Sequence, residues 1–136
     1  MACVLPSQWC VDRDLRKRLL RFAIEIGWVC EQLPESKLGS QISDQLVRSG
    51  TSPGPNYEEA CAAESRRDFI HKMSISLKEL RESDFWLRLI AEADLLKNPR
   101  LDSLLDECNQ LCRIFGKSII TARRNDPKQK AWRIHP

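Results

Sequence analysis

The chain has 136 residues, enough for one domain with a core of its own and no need of metal or disulfide staples. Hydrophobic residues make up 42% and charged residues 30%, while aromatics (7%) and glycines (five) are scarce, which suits a helical protein and argues against a turn-rich β-sandwich. Net charge is +3, from 22 Lys+Arg against 19 Asp+Glu, an excess too small to imply a nucleic-acid partner by itself.

The N-terminal "MACVLPSQWC" has no basic region followed by an apolar run. No segment approaches the roughly 20 apolar residues of a membrane span. A cytosolic protein with no membrane partner is expected, and its six cysteines then read as reduced thiols.

The first predicted helix runs from Asp12 to Leu33. Leu15, Leu19, Phe22, Ile26, Val29 and Leu33 alternate spacings of four and three, the seam of a bundle helix. Asp12 or Asp14 can cap its start, and Pro34 stops it. The second helix opens near Glu35 or Ser36 with Leu38, Ile42 and Leu46 inward, and reaches "SGTSPGPNYEEA" near Ser49. Gly50, Pro53, Gly54 and Pro55 interrupt a regular helix. Asn56 then reads as the cap of a restarted helix, with Glu59 three residues on in capping-box spacing.

Ser65 and Asp68 mark the cap of a long third helix with Ile70, Met73, Leu77, Leu80 and Leu87 in its seam and Asp84 interrupting it. Its end, "FWLRLIAEADLL", is apolar on more than one side, which predicts burial on more than one side and hence self-association. Phe85, Trp86, Leu89 and Leu96 are the candidate interface residues. "KNPR" turns the chain, with Asn98 as cap and Pro99 in the first helical position. The fourth helix runs to Arg124 on Leu101, Leu104, Cys108, Leu111, Phe115 and Ala122, with Ser118 in one seam position. The sum is an all-α, antiparallel up-down-up-down four-helix bundle over residues 1–124 with a break in the second helix, followed by a basic tail over 125–136.

Charge is uneven along the chain. The first helix opens with Arg13, Arg16, Lys17, Arg18 and Arg21, and the C-terminal part carries Arg113, Lys117, Arg123, Arg124, Lys128, Lys130 and Arg133. Solvated helix faces explain this as well as a polyanion-binding surface does. On the second view Arg13, Arg16, Lys17, Arg21, Arg123, Arg124 and Lys128 are the phosphate contacts. No basic-aromatic stacking platform accompanies them.

Catalytic patterns are missing. "DFIH" (Asp68, His71) has the spacing of a di-iron ligand pair but occurs once. "GKS" at Gly116–Ser118 lacks the rest of a phosphate loop. Cys108 and Cys112 lie one helical turn apart, but a zinc site needs two more ligands, and Cys3, Cys10, His71 and His135 show no ligand spacing. Core filling is the expected role of the cysteines. No enzyme activity, metal, cofactor or small-molecule substrate is expected.

Gln45, Leu46, Arg48, Ser52, Asn56, Glu59 and Ala60 match in spacing the helix-two pattern of a known family. The chain resembles the four-helix-bundle proteins encoded in intervening sequences of bacterial large-subunit ribosomal RNA genes, to which the accessory variability proteins of diversity-generating retroelements are related. "RRDFIHKMSISLKELRESDFWLRLI" and "GKSIITAR" are similar to its third and fourth helices, so the likeness covers Leu15 to Arg124. The family's proline two residues before the asparagine is replaced by Gly54, flanked by Pro53 and Pro55. The resemblance implies a ring-like homopentamer with a non-enzymatic, poorly defined role; its retroelement relatives bind nucleic acid and a reverse transcriptase through a basic surface. RNA or DNA, or else a protein partner held by a scaffold, are the partners to expect. The family pattern also suggests Arg48 as the partner of Asp84, since a carboxylate in an apolar seam needs one, unless Asp84 points to solvent or to a subunit interface.

Overall fold

The computed structural model describes residues 13–127. Its helices are α1 (Arg13–Gln32), α2 (Lys37–Thr51), α3 (Pro53–Cys61), α4 (Arg66–Glu92) and α5 (Pro99–Arg124). The α2–α3 pair forms one bent arm, so the architecture is an antiparallel four-helix bundle. The arm packs on α1 and α4, and α5 packs on α4 and α1, which leaves α1 and α4 on one diagonal.

The seams meet in a single core. Leu15, Leu19, Phe22, Ile26 and Val29 of α1 are almost wholly buried, as are Ile42 and Leu46 of α2 and Leu101 to Phe115 of the α5 seam. Tyr57 of α3 reaches across to Phe115 of α5, edge to face with ring centroids 5.8 Å apart. Three seam expectations shift by one position or one turn. Leu38 is exposed at the start of α2, Phe69 rather than Ile70 enters the core, and Ile119 takes the place predicted for Ser118.

Two predicted caps form. The Ser65 hydroxyl accepts from the Asp68 N–H at 3.0 Å, and the Asn98 carboxamide accepts from Arg100 N–H at 2.9 Å. Ser36 caps α2 by accepting from Gly39 N–H at 3.0 Å. A side chain at Gly39 would collide with the Pro34 carbonyl, so the entry to α2 demands glycine there. Helix α4 stops at Glu92, earlier than "KNPR" suggested. The Leu95 N–H bonds to Ile90 O at 3.0 Å and the Asp94 N–H to Ala91 O at 3.2 Å, a Schellman ending with Asp94 at φ 53° in the position usually taken by glycine.

The Gly-Pro stretch is a kink and not a loop. Gly50 stays inside α2, and Ser52 keeps helical dihedrals (φ −80°, ψ −36°) between α2 and α3. Pro53 and Pro55 remove the N–H groups that would bond Ser49 and Thr51 carbonyls, so the arm bends there without unwinding. Asn56 is therefore not a cap. It lies inside α3, and its amide donates back to the Ser52 carbonyl and hydroxyl, both at 3.0 Å. Glu59 does not return to Asn56; it pairs with Lys72 of α4 at 2.8 Å. Buried serines of α4 support the bend: Ser76 donates to Pro53 O at 3.1 Å, and Ser83 Oγ lies 2.9 Å from Ser49 Oγ. On the other side Gly50 admits α1, because a Cβ there would lie 2.5 Å from Ile26 Cγ1.

Asp84 does not interrupt the seam; Ser83 does, fully buried. Nor does Asp84 meet Arg48. Its Oδ2 pairs with Arg88 one turn on at 3.0 Å, while Arg48 bonds Glu79 at 3.1 Å, Glu82 at 2.5 Å and Gln45 at 3.3 Å. One residue of register explains both results: position 84 leans toward α5 and positions 79, 82 and 86 lean toward the bent arm.

Candidate functional site

An up-down-up-down path brings the start of α1, the end of α3, the start of α4 and the end of α5 to one end of the bundle. Contacts tie these four together there. Arg16 pairs with Glu58 at 3.1 Å, joining α1 to α3, and Arg66 donates to Ala122 O at 3.0 Å, joining α4 to the last turn of α5. The start of α1 and the end of α5 therefore point toward the same end of the bundle, but Arg18 meets Glu107 and Gln110, so Lys17 is level with the middle of α5 and Arg123 and Arg124 lie well beyond it.

Not all of them are available to a ligand. Arg16 is engaged by Glu58, and Arg18 forms a forked contact to Glu107 with Gln110 beside it. Lys17, Arg21, Arg123 and Arg124 of the predicted set are exposed. Arg21 lies one turn before Glu25 and adds to the field that holds that carboxylate charged, although Arg100 is its main partner at 2.6 Å. Arg13 begins α1, but its side chain, like all of Lys128, lies outside the described residues. The structure adds exposed Arg67 at the start of α4, and Arg113 and Lys117 on α5. Arg113, Lys117, Ile120 and Arg124 follow at spacings of four, three and four, so they share the outward face of α5. That face spans about 16 Å from first to last at the rise of an α-helix. Acidic Glu64 and Asp68 flank the start of α4 at the same end. The exposed cations are thus spread along the outward face of α5 and, separately, at Lys17 and Arg21 of α1, and do not form a uniformly basic cap.

The apolar faces are a second feature. Phe85 is half exposed (53%) on the outer side of α4 and stacks edge to face on the partly buried Trp86, and Leu89 and Leu96 are partly buried nearby in sequence. A patch that sequence reasoning missed lies away from α4, between α1 and the bent arm. Leu20 (65% exposed) borders a groove of about 450 Å³ lined by Leu19, Ala23, Gly54 and Pro55, with Arg16, Lys17 and Glu58 at its rim, and the exposed Ile24 (61%) lies one turn on from Leu20. The available signal was the Leu20–Ile24 pair, one turn apart and off the α1 seam.

The remaining family-pattern residues make contacts within the bundle. Gln45 and Arg48 brace α2 against Glu79 and Glu82 of α4, and Ser52 and Asn56 close the kink. His71 is exposed. Among the described residues no three or more His, Cys, Asp or Glu side chains gather as a metal site, and no helix is long and apolar enough to cross a membrane.

The family model for 23S rRNA-intervening sequence proteins matches residues 12–117. The chain belongs to that family. Among solved structures it is similar to a protein of unknown function of the S23 ribosomal protein family from Bacteroides thetaiotaomicron, with 31% identity and a TM-score of 0.71 over 77% of this chain and 97% of that one. No curated protein matches the chain. The family match spans α1 to the second half of α5, so the kinked arm and both apolar faces fall inside the family domain, while Ile120, Arg123 and Arg124 lie beyond the matched segment.

Proposed function

We propose that this family member is a non-enzymatic, self-assembling bundle that binds nucleic acid through the basic strip on α5 and the adjoining flank of α1. The observation that carries the reading is the run of exposed Arg113, Lys117 and Arg124 on one α5 face, with exposed Arg123 next to Arg124 and exposed Lys17 and Arg21 on the neighbouring α1. Cations spaced one to two turns apart on a helix face suit a phosphate backbone, and no stacking platform is available for reading bases. Binding is accordingly to backbone and shape, with little sequence preference.

Two unlike apolar faces, one on α4 and one between α1 and the bent arm, support the self-assembly. A face that meets a different face on its neighbour builds a heterologous contact, which closes into a ring when the rotation permits. The five-fold ring implied by the family resemblance is one such closure.

The test is anisotropy titration of generic RNA and DNA duplexes with the purified protein. Charge reversal at Lys117→Glu with Arg124→Glu is expected to weaken binding to every duplex alike. Binding that is unchanged by the reversal removes the strip from the account. A protein that binds neither duplex at low salt leaves the scaffold alternative, in which the apolar faces recruit a protein partner.

A further inference from the structure

We propose that the groove between α1 and the kinked arm binds a small apolar monocarboxylate of the fatty-acid class. Its walls are Leu19, Leu20 and Ala23 on one side and Gly54 and Pro55 on the other, and its volume of about 450 Å³ is that of a small-molecule pocket. The kink and a missing side chain keep it open. Ser52 stays helical while Pro53 and Pro55 bend the arm, which brings position 54 beside α1. A Cβ at Gly54 would lie 3.8 Å from Leu19 Cβ, an ordinary contact. Glycine there relieves no clash, unlike Gly50; it leaves space.

The polar groups of the lining select the head group. Arg16 and Glu58 hold each other at 3.1 Å, and the Thr51 hydroxyl donates to Val47 O at 2.6 Å. Lys17 remains, exposed and without an ion pair among the described residues. One uncompensated positive charge beside an apolar floor matches a ligand with one negative charge and an apolar body. A nucleotide or sugar phosphate would press polar groups onto walls that offer them no hydrogen bonds. A cationic amphiphile would meet Lys17.

The test is calorimetric titration of the full chain with decanoate below its micelle concentration, with decyltrimethylammonium as the opposite head group. One decanoate per chain is expected, and weaker binding of the cation. Lys17→Gln should weaken decanoate about two- to fivefold, the worth of an exposed ion pair. Gly54→Ala, which the distance to Leu19 admits, keeps the fold and should weaken binding by narrowing the groove; Gly54→Leu should fill the groove and abolish it. No decanoate binding, binding that survives Gly54→Leu, or equal uptake of the two head groups overturns the site.

The groove belongs to the face that the assembly reading gives to a neighbouring copy, so Phe85→Glu is titrated beside the unsubstituted chain. That variant keeps the groove and lacks the apolar α4 face. Decanoate must bind it at least as tightly as the unsubstituted chain, whether or not the chain assembles, and loss of binding there would place the site on α4 and overturn the groove. Anionic phospholipid vesicles serve as a last probe: vesicle binding that Gly54→Leu removes would make a membrane surface the occupant and also overturns the proposal.

Discussion

Gly50 shows how much one missing side chain sets. The close approach of α1 to the bent arm depends on it, since a Cβ would press on the branched Ile26 side chain at 2.5 Å. Gly50→Ala should therefore destabilise the bundle by about 1–3 kcal/mol, an overpacking cost, measured as a lower urea midpoint with unchanged slope. Asp94 is the opposite case. It holds φ 53° without being glycine, so Asp94→Gly should raise stability by up to about 1 kcal/mol in the same assay. The Glu25–Arg100 pair has a pH signature. The Arg100 guanidinium holds the Glu25 carboxyl below its ordinary range. A depressed folded-state value gives stability that is present above the unfolded glutamate pKa and is lost as pH falls through the folded one. Arg100→Ala should thus flatten the acid limb of a stability-against-pH curve in that range.

At the scale of elements, the kinked arm depends on α4 for its polar contacts. Ser76→Ala would leave the Pro53 carbonyl buried without its donor, a loss of about 1–3 kcal/mol, with hydrogen exchange rising first in α3. In a double-mutant cycle Arg48 should couple to Glu82 by about 0.2–1 kcal/mol, as an exposed pair does, and Arg48 with Asp84 should be additive. These elements also show what the sequence could reveal. The α1 seam and the Ser65 and Asn98 caps are local patterns, and they form where the spacing places them. The kink was legible as a position but not as a conformation, because what keeps Ser52 helical is support from α4, an interaction between residues far apart in the chain. The Asp94 ending carried no glycine to announce it. Asp84 and Ser83 were exchanged because a one-residue shift on a helix turns a side chain from one neighbour to the other.

For the molecule as a whole, the placement of both basic chain ends toward one end of the bundle was not readable from composition. It follows from topology, and the exposed α5 face adds Arg113 and Lys117 to it. The apolar faces make a separable prediction about assembly. Ile24→Glu and Phe85→Glu should each abolish the oligomer alone, and their mixture should give a dimer and no ring by native mass, because each variant retains the face that the other lacks. A dimer that survives Phe85→Glu alone would point instead to a two-fold interface through the groove face. The salt dependence of duplex binding bears most directly on the central proposal. Log affinity against log salt should be linear, with a slope of about −0.9 per neutralised phosphate. Replacing Lys117 and Arg124 with glutamine should make that slope shallower by about one for each phosphate left without its cation. A slope near zero in the unsubstituted protein, or one that these substitutions leave untouched, would contradict a phosphate-binding strip on α5.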